Sequence, residues 1–71
     1  MKLSYFPDTD TLYIEFAAGE GRDAIEIVDG VVADLAPDGR MIGIEVEHAS
    51  AKIDVTRLET TGLPIARSLA A

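Results

Sequence analysis

His48 is the only imidazole in the chain, and it stands just after Glu45 and Glu47. Those residue types suit a metal site, or a general base backed by a carboxylate. A catalytic zinc centre takes three protein ligands, commonly with more than one His. Alternation puts Glu45 and Glu47 on one strand face and turns the next residue away, so His48 is a weak metal candidate. Its plainer reading is a partly exposed side chain at a strand-to-helix junction. Asp8-Thr9-Asp10 starts like a calcium loop, which would continue with an oxygen ligand at position five, Gly at six and Glu at twelve. Leu12, Tyr13 and Gly19 occupy those places, which leaves a solvated turn. Ser4, Ser50 and Ser68 lack the flanking signature of an activated nucleophile, and a single His makes a triad a poor fit. Gly19 and Gly21 precede no Gly-Lys-Ser, so no phosphate-cradling loop is formed. Tyr13, with Thr11 and Glu15, has the make-up of a ligand-binding surface or of ordinary cross-strand packing. The residues call for no cofactor.

The elements that must position these side chains are strands. Thr11-Leu12-Tyr13-Ile14-Glu15-Phe16 alternates, with Leu12, Ile14 and Phe16 on one face and Tyr13 and Glu15 on the other. A period of two marks a half-buried strand. Leu3-Ser4-Tyr5-Phe6 precedes it across the turn-forming Pro7-Asp8-Thr9-Asp10, making a hairpin. After the polar loop 18–23, Ala24-Ile25-Glu26-Ile27-Val28 directs Ile25 and Ile27 to the core. Asp29-Gly30 then suggests a type I′ turn, which needs positive φ at both central residues. Val31, Ala33 and Leu35 point inward and Asp34 outward. Pro37-Asp38-Gly39-Arg40 is the next turn, with Pro at its first central position and Gly39 in the left-handed region beside a bulge. Met41–Glu47 puts Ile42, Ile44 and Val46 in and Glu45 and Glu47 out. Tight connections make neighbours antiparallel, so residues 1–47 read as a five-stranded β-meander.

Alternation stops at Glu47. Residues 48–53 suit one or two helical turns, Asp54 is a candidate N-cap for a helix over 54–59, and Pro64 could open a third over 63–71. The fold class expected is α+β. The chain is a single small domain, 1–71, in which the helical or irregular segment 48–71 covers one face of the sheet. Ile53, Val55, Leu58, Leu63, Ile65 and Leu69 are the apolar residues available as cover, on the same chain's sheet or on a second copy's.

Composition bounds the function. The 71 residues carry thirteen acids against six bases, a net charge of -7, with 48% hydrophobic residues and no cysteine. A chain this short buries only about 60% of its unfolded surface, and with neither disulfides nor thiolate metal ligands available, self-association into a homo-oligomer is expected. Direct nucleic-acid binding is disfavoured, because phosphate contacts need clustered bases and Lys2, Arg22 and Arg40 are scattered among acids. No apolar run approaches the roughly 18 residues of a membrane span, and no signal-peptide core follows Lys2. The expectation is a cytoplasmic chain, without membrane attachment.

Two stretches carry a resemblance. Tyr5-Phe6-Pro7-Asp8-Thr9-Asp10-Thr11-Leu12-Tyr13-Ile14 resembles the opening Y-D-x-x-x-D-x-L-Y-I stretch of a small bacterial domain-of-unknown-function family, numbered twenty-two eighty-three. Val31–Leu35 followed by Asp38–Val46 resembles its second stretch, and Ala49-Ser50 its Ala-Ser after the last strand. The likeness spans about residues 5–50. Phe6-Pro7 departs from the pattern, in which Tyr runs straight into Asp, and nothing from Asp54 onward matches. Members of the family are often encoded beside small proteins suspected of being toxins, so the resemblance implies an antitoxin-like role.

The strongest functional signal from the residues themselves is charge. Glu15, Glu26, Asp34, Glu45 and Glu47 all point away from the inferred core, together with Tyr13. Where such acids sit opposite one another they repel. This is either a solvated face or a docking surface for a basic partner, where complementary charge selects the partner and speeds association. The sequence is therefore read as a non-enzymatic interaction module, antitoxin-like, binding a small basic toxin-like protein through Tyr13, Glu15, Glu26, Asp34, Glu45 and Glu47 and the apolar C-terminal segment. Two other readings stay open: a homo-oligomeric metabolite- or metal-binding domain near Tyr13 and His48, and an enzyme built across an oligomer interface with His48 and Glu47 as acid and base.

Overall fold

A computed structural model describes residues 1–65. Its five strands are β1 (Lys2–Phe6), β2 (Thr11–Glu15), β3 (Asp23–Val28), β4 (Val31–Leu35) and β5 (Met41–Val46), followed by the short helix α1 (Ala49–Lys52). All pairings are antiparallel, and the sheet is open, in the order β1-β2-β5-β4-β3. The meander expected from the sequence is thus corrected. β1 and β2 form one hairpin, β3, β4 and β5 form a three-stranded meander, and the two units join along β2 and β5. The link over residues 16–22 makes this possible. Seven residues reach more than 20 Å, whereas three inter-strand spacings require about 14 Å. The amides of Phe16 and Ala17 hold the start of the link on the Ile42 carbonyl at 2.8 and 3.4 Å, and that of Arg22 its end on the Leu35 carbonyl at 2.8 Å. The result puts the apolar β5 at the sheet centre and the charged β3 at an edge.

The turns follow their local chemistry with one exception. In the Pro37 turn the Gly39 amide donates to Ala36 O at 2.9 Å, Gly39 has φ 88°, and the register shifts between Asp34 and Leu35. The Asp29-Gly30 turn is not type I′. Gly30 has φ 77° but Asp29 is not in the positive-φ region, and the twist the hairpin needs is supplied by a register shift between Glu26 and Val28.

Register fixes two faces. Leu3, Leu12, Ile14, Ile44, Val46, Ala33, Val31, Leu35 and Ile25 share the apolar one. Among the described residues the buried apolar ones are Ala33, Ala36, Ile42, Val46 and Ala49. Among the described residues the expected helical cover is reduced to α1. Ile53 ends it in extended conformation. Asp54 is not a helix N-cap but closes a local turn, its carboxylate accepting from the amide and hydroxyl of Thr56, the bonding that competes with helix at such residues. Around Pro64 the Ile65 amide donates to Leu63 O at 2.8 Å in a three-residue turn. The remainder of the expected third helix, with Leu69, lies outside the described residues. The stretch 53–58 lines one hollow with Leu3, Leu12 and Ile14, so it stands beside the β1–β2 half of the apolar face and leaves Leu3 exposed.

Candidate functional site

On the opposite face, Ser4, Tyr13, Glu45, Val32 and Glu26 form one row across the five strands. The adjacent row is Lys2, Glu15, Gly43, Asp34 and Ala24. The acids predicted from the alternation therefore share one face. Their expected opposition does not occur: each of the four strand carboxylates lies opposite Tyr13, Val32, Ala24, Gly43 or Lys2. Glu45 meets Glu15 and Asp34 only on the diagonals, about 7–8 Å away. At that distance two charges in water repel by only about 0.5 kcal/mol, and salt screens them further. The face stays densely acidic at small cost to the fold. Among the described residues the ion pairs are Arg40–Asp38 and Arg57–Glu59, both 2.7 Å, and neither involves these acids.

Gly43 organises the centre. The Tyr13 ring crosses its backbone, and the Tyr13 hydroxyl donates to Asp34 Oδ2 at 2.8 Å, joining β2 to β4 over β5. A Cβ on Gly43 would collide with the Tyr13 Oη and lie 2.8 Å from Cζ and 3.0 Å from the Ile14 carbonyl. A glycine inside a strand often marks such a close approach, and this was the signal available in the sequence for a bond that alternation alone did not reveal. The Asp34 carboxylate holds the Tyr13 phenol in its neutral form, and with partial burial and the neighbouring carboxylates pushes its pKa up to about 12. Tyr13 is thus a fixed half-buried aromatic among acids.

Glu47 lies beyond the end of β5. It lines a hollow of about 500 Å³ with Glu45, Thr9, Thr11, Phe6 and His48. The imidazole is therefore not turned away from the two glutamates, because His48 adopts a left-handed conformation, φ 51°. Glu26 stands apart, on the edge strand β3. Among the described residues no group of three or more His, Cys, Asp or Glu side chains is placed to hold a metal ion, and no helix is long and apolar enough to cross a membrane.

A second cluster was missed. Asp10, at φ 52°, clasps the hairpin to α1. Its carboxylate accepts from the Tyr5 hydroxyl at 2.7 Å, the Ser50 amide at 3.1 Å and the Ser50 hydroxyl at 2.6 Å. Its own carbonyl accepts from the amide of Ala49 at 2.8 Å, whose side chain is fully buried. The Ser50 and Tyr5 bonds hold the Asp10 carboxyl below the usual carboxylate range, and the same contact raises the Tyr5 phenol. So Tyr5, Asp10, Ala49 and Ser50 form one structural unit across forty residues of chain.

The clasp lies within the reach of a family match. The family described as Protein of unknown function (DUF2283) matches residues 2–50. The chain belongs to this family. The match covers the whole sheet and ends at Ser50, the last member of the clasp. No curated protein and no solved structure matches the chain.

Proposed function

We propose that this DUF2283 domain is a non-enzymatic interaction module that docks a small basic protein on its acidic sheet face. The antitoxin-like role implied by the family resemblance is the specific form of this reading, with stoichiometric occlusion of the partner's working surface as its mechanism. The observation that carries it is the arrangement of Glu15, Asp34, Glu45 and Glu26 on one sheet face, outside the ion pairs of the described chain and built around the rigid Tyr13–Gly43–Asp34 bridge. A fixed half-exposed aromatic with carboxylates around it suits recognition of Lys and Arg side chains, through cation–π contact and charge. The hollow beside Glu45 and Glu47 adds a concave end to the same face.

The test is capture of the tagged chain's partner from its native cells at low salt, followed by titration of the purified pair. A single small basic protein bound one to one is expected, with affinity falling at least about tenfold as salt rises, because exposed charge contacts are screened. Reversing Glu15 and Glu45 to Lys together should abolish association and preserve the circular dichroism spectrum. Unchanged affinity in that folded variant sinks the acidic-face reading.

A further inference from the structure

The acids of the docking face are not equivalent. Glu26 and Glu47 are exposed, whereas Glu15, Asp34 and Glu45 are half-buried, as is Tyr13. Register explains the grouping. Glu45 lies directly opposite Tyr13, while Glu15 and Asp34 lie on either side of Gly43. The Tyr13 ring runs diagonally from β2 across Gly43 to the Asp34 carboxylate. Glu45 is therefore placed to one side of the ring, Glu15 to the other and Asp34 at its tip. The phenol feels all three: the Asp34 bond raises its pKa most, and the charges of Glu15 and Glu45 add to the rise.

This frame has a fixed floor. The hydroxyl end of the ring lies over Gly43, and the 2.8 Å bond to Asp34 keeps the ring from turning. The face turned from the sheet is the one left for a partner. Lys2 lies across from Glu15 at the strand edge, and among the described residues it pairs with none of the three acids.

The two basic side chains use such a frame differently. A lysine ammonium is a compact, strongly hydrated charge with three donors. Seated on the ring it stands off from carboxylates placed around the rim, and seated on one carboxylate it leaves the ring. A guanidinium is planar and more weakly hydrated. Stacked on the ring, it keeps its five N–H donors in its own plane, directed outward to the rim. We infer that the frame selects arginine over lysine, with a partner's guanidinium stacked on the outer face of Tyr13 and donating to Glu15 and Glu45. The inference rests on the docking reading above and names the side chain that fills its centre.

Blocked tri-arginine and tri-lysine peptides carry equal charge, so a face that reads charge alone binds both equally. Each is titrated at low salt into the isotope-labelled full chain and followed by NMR. Tri-arginine is expected to bind at least about fivefold tighter, the scale of an exposed cation–π contact. The Gly43 amide and the Tyr13 ring signals should move most, with cross-relaxation between arginine side-chain protons and that ring. A folded Tyr13→Leu variant should bring the two affinities together. Should it fail to fold, the contacts to the ring in the wild-type chain decide. Equal affinities, or an arginine preference without contacts to Tyr13, overturn the inference. The docking reading survives that result if Glu15→Lys with Glu45→Lys abolishes the binding of both peptides. Binding of neither peptide at millimolar concentration also overturns the inference, and capture of the natural partner then judges the docking reading by itself.

Discussion

Replacing Gly43 by Ala tests the bridge at the centre of the acidic face. The added methyl would lie 2.8 Å from Tyr13 Cζ and 3.0 Å from the Ile14 carbonyl, so the ring must lift from β5 or the strands must part. Lifting the ring breaks the Tyr13–Asp34 hydrogen bond, and a bond of this kind to a charged group contributes about 1.5 kcal/mol. Residual crowding against the backbone adds about 1–2 kcal/mol, while the entropic advantage of Ala over Gly in a strand returns about 0.5–1 kcal/mol. The net loss is about 2 kcal/mol, or roughly 8–16 °C in melting temperature for a domain of this size. Thermal melting by circular dichroism at fixed protein concentration measures it. In a Tyr5→Phe background Tyr13 is the sole tyrosine, so tyrosinate absorbance reports its ionisation directly. Gly43→Ala should bring that titration from about 12 back toward 10. If melting moves by no more than about a degree and the phenol still titrates near its raised value, the ring does not lie over Gly43 and the reasoning fails.

Other outcomes follow from the same contacts. Because the folded-state pKa of Tyr13 is raised above the unfolded value of 10.0 to about 12, its contribution to stability is complete below pH 10 and is lost as pH rises from 10 toward 12. Tyr13→Phe should remove that part of the alkaline loss, visible as a flatter melting-temperature profile over that window. Asp10 is shifted the other way, so its clasp stabilises above pH 3.8 and weakens as pH falls through the lowered folded value. Asp10→Asn should therefore lower the melting temperature by several degrees at neutral pH and abolish this part of the acid dependence, and amide exchange should quicken first at Ala49 and Ser50. Gly39→Ala, at φ 88° with open space around the missing Cβ, should destabilise by about 1 kcal/mol through backbone strain alone, measured by urea denaturation. Equal stability there would mean that the turn relaxes.

The strands were legible because alternation is a local signal. Leu12-Tyr13-Ile14 and Ile44-Glu45-Val46 each declare a strand and its two faces, and the acidic face followed from the same parity. Which strands pair is not local. Nothing in the periodicity of β2 distinguishes β3 from β5 as its neighbour, and the link at 16–22 is long enough for either. Gly43 held the missing information: a glycine between Ile42 and Ile44 weakens a central strand unless another group occupies its space, and Tyr13 does. The clasp was half legible. The family pattern named Asp10 and Ala49-Ser50, but a turn explained Asp10 well enough that its partner forty residues away went unsuspected. The helix expected over 54–59 failed because residues with adequate helix propensity were outcompeted by a local bond, Asp54 to Thr56, and at residues 63–65 the Ile65 amide turns back to the Leu63 carbonyl. An isolated short helix has little to hold it without packing.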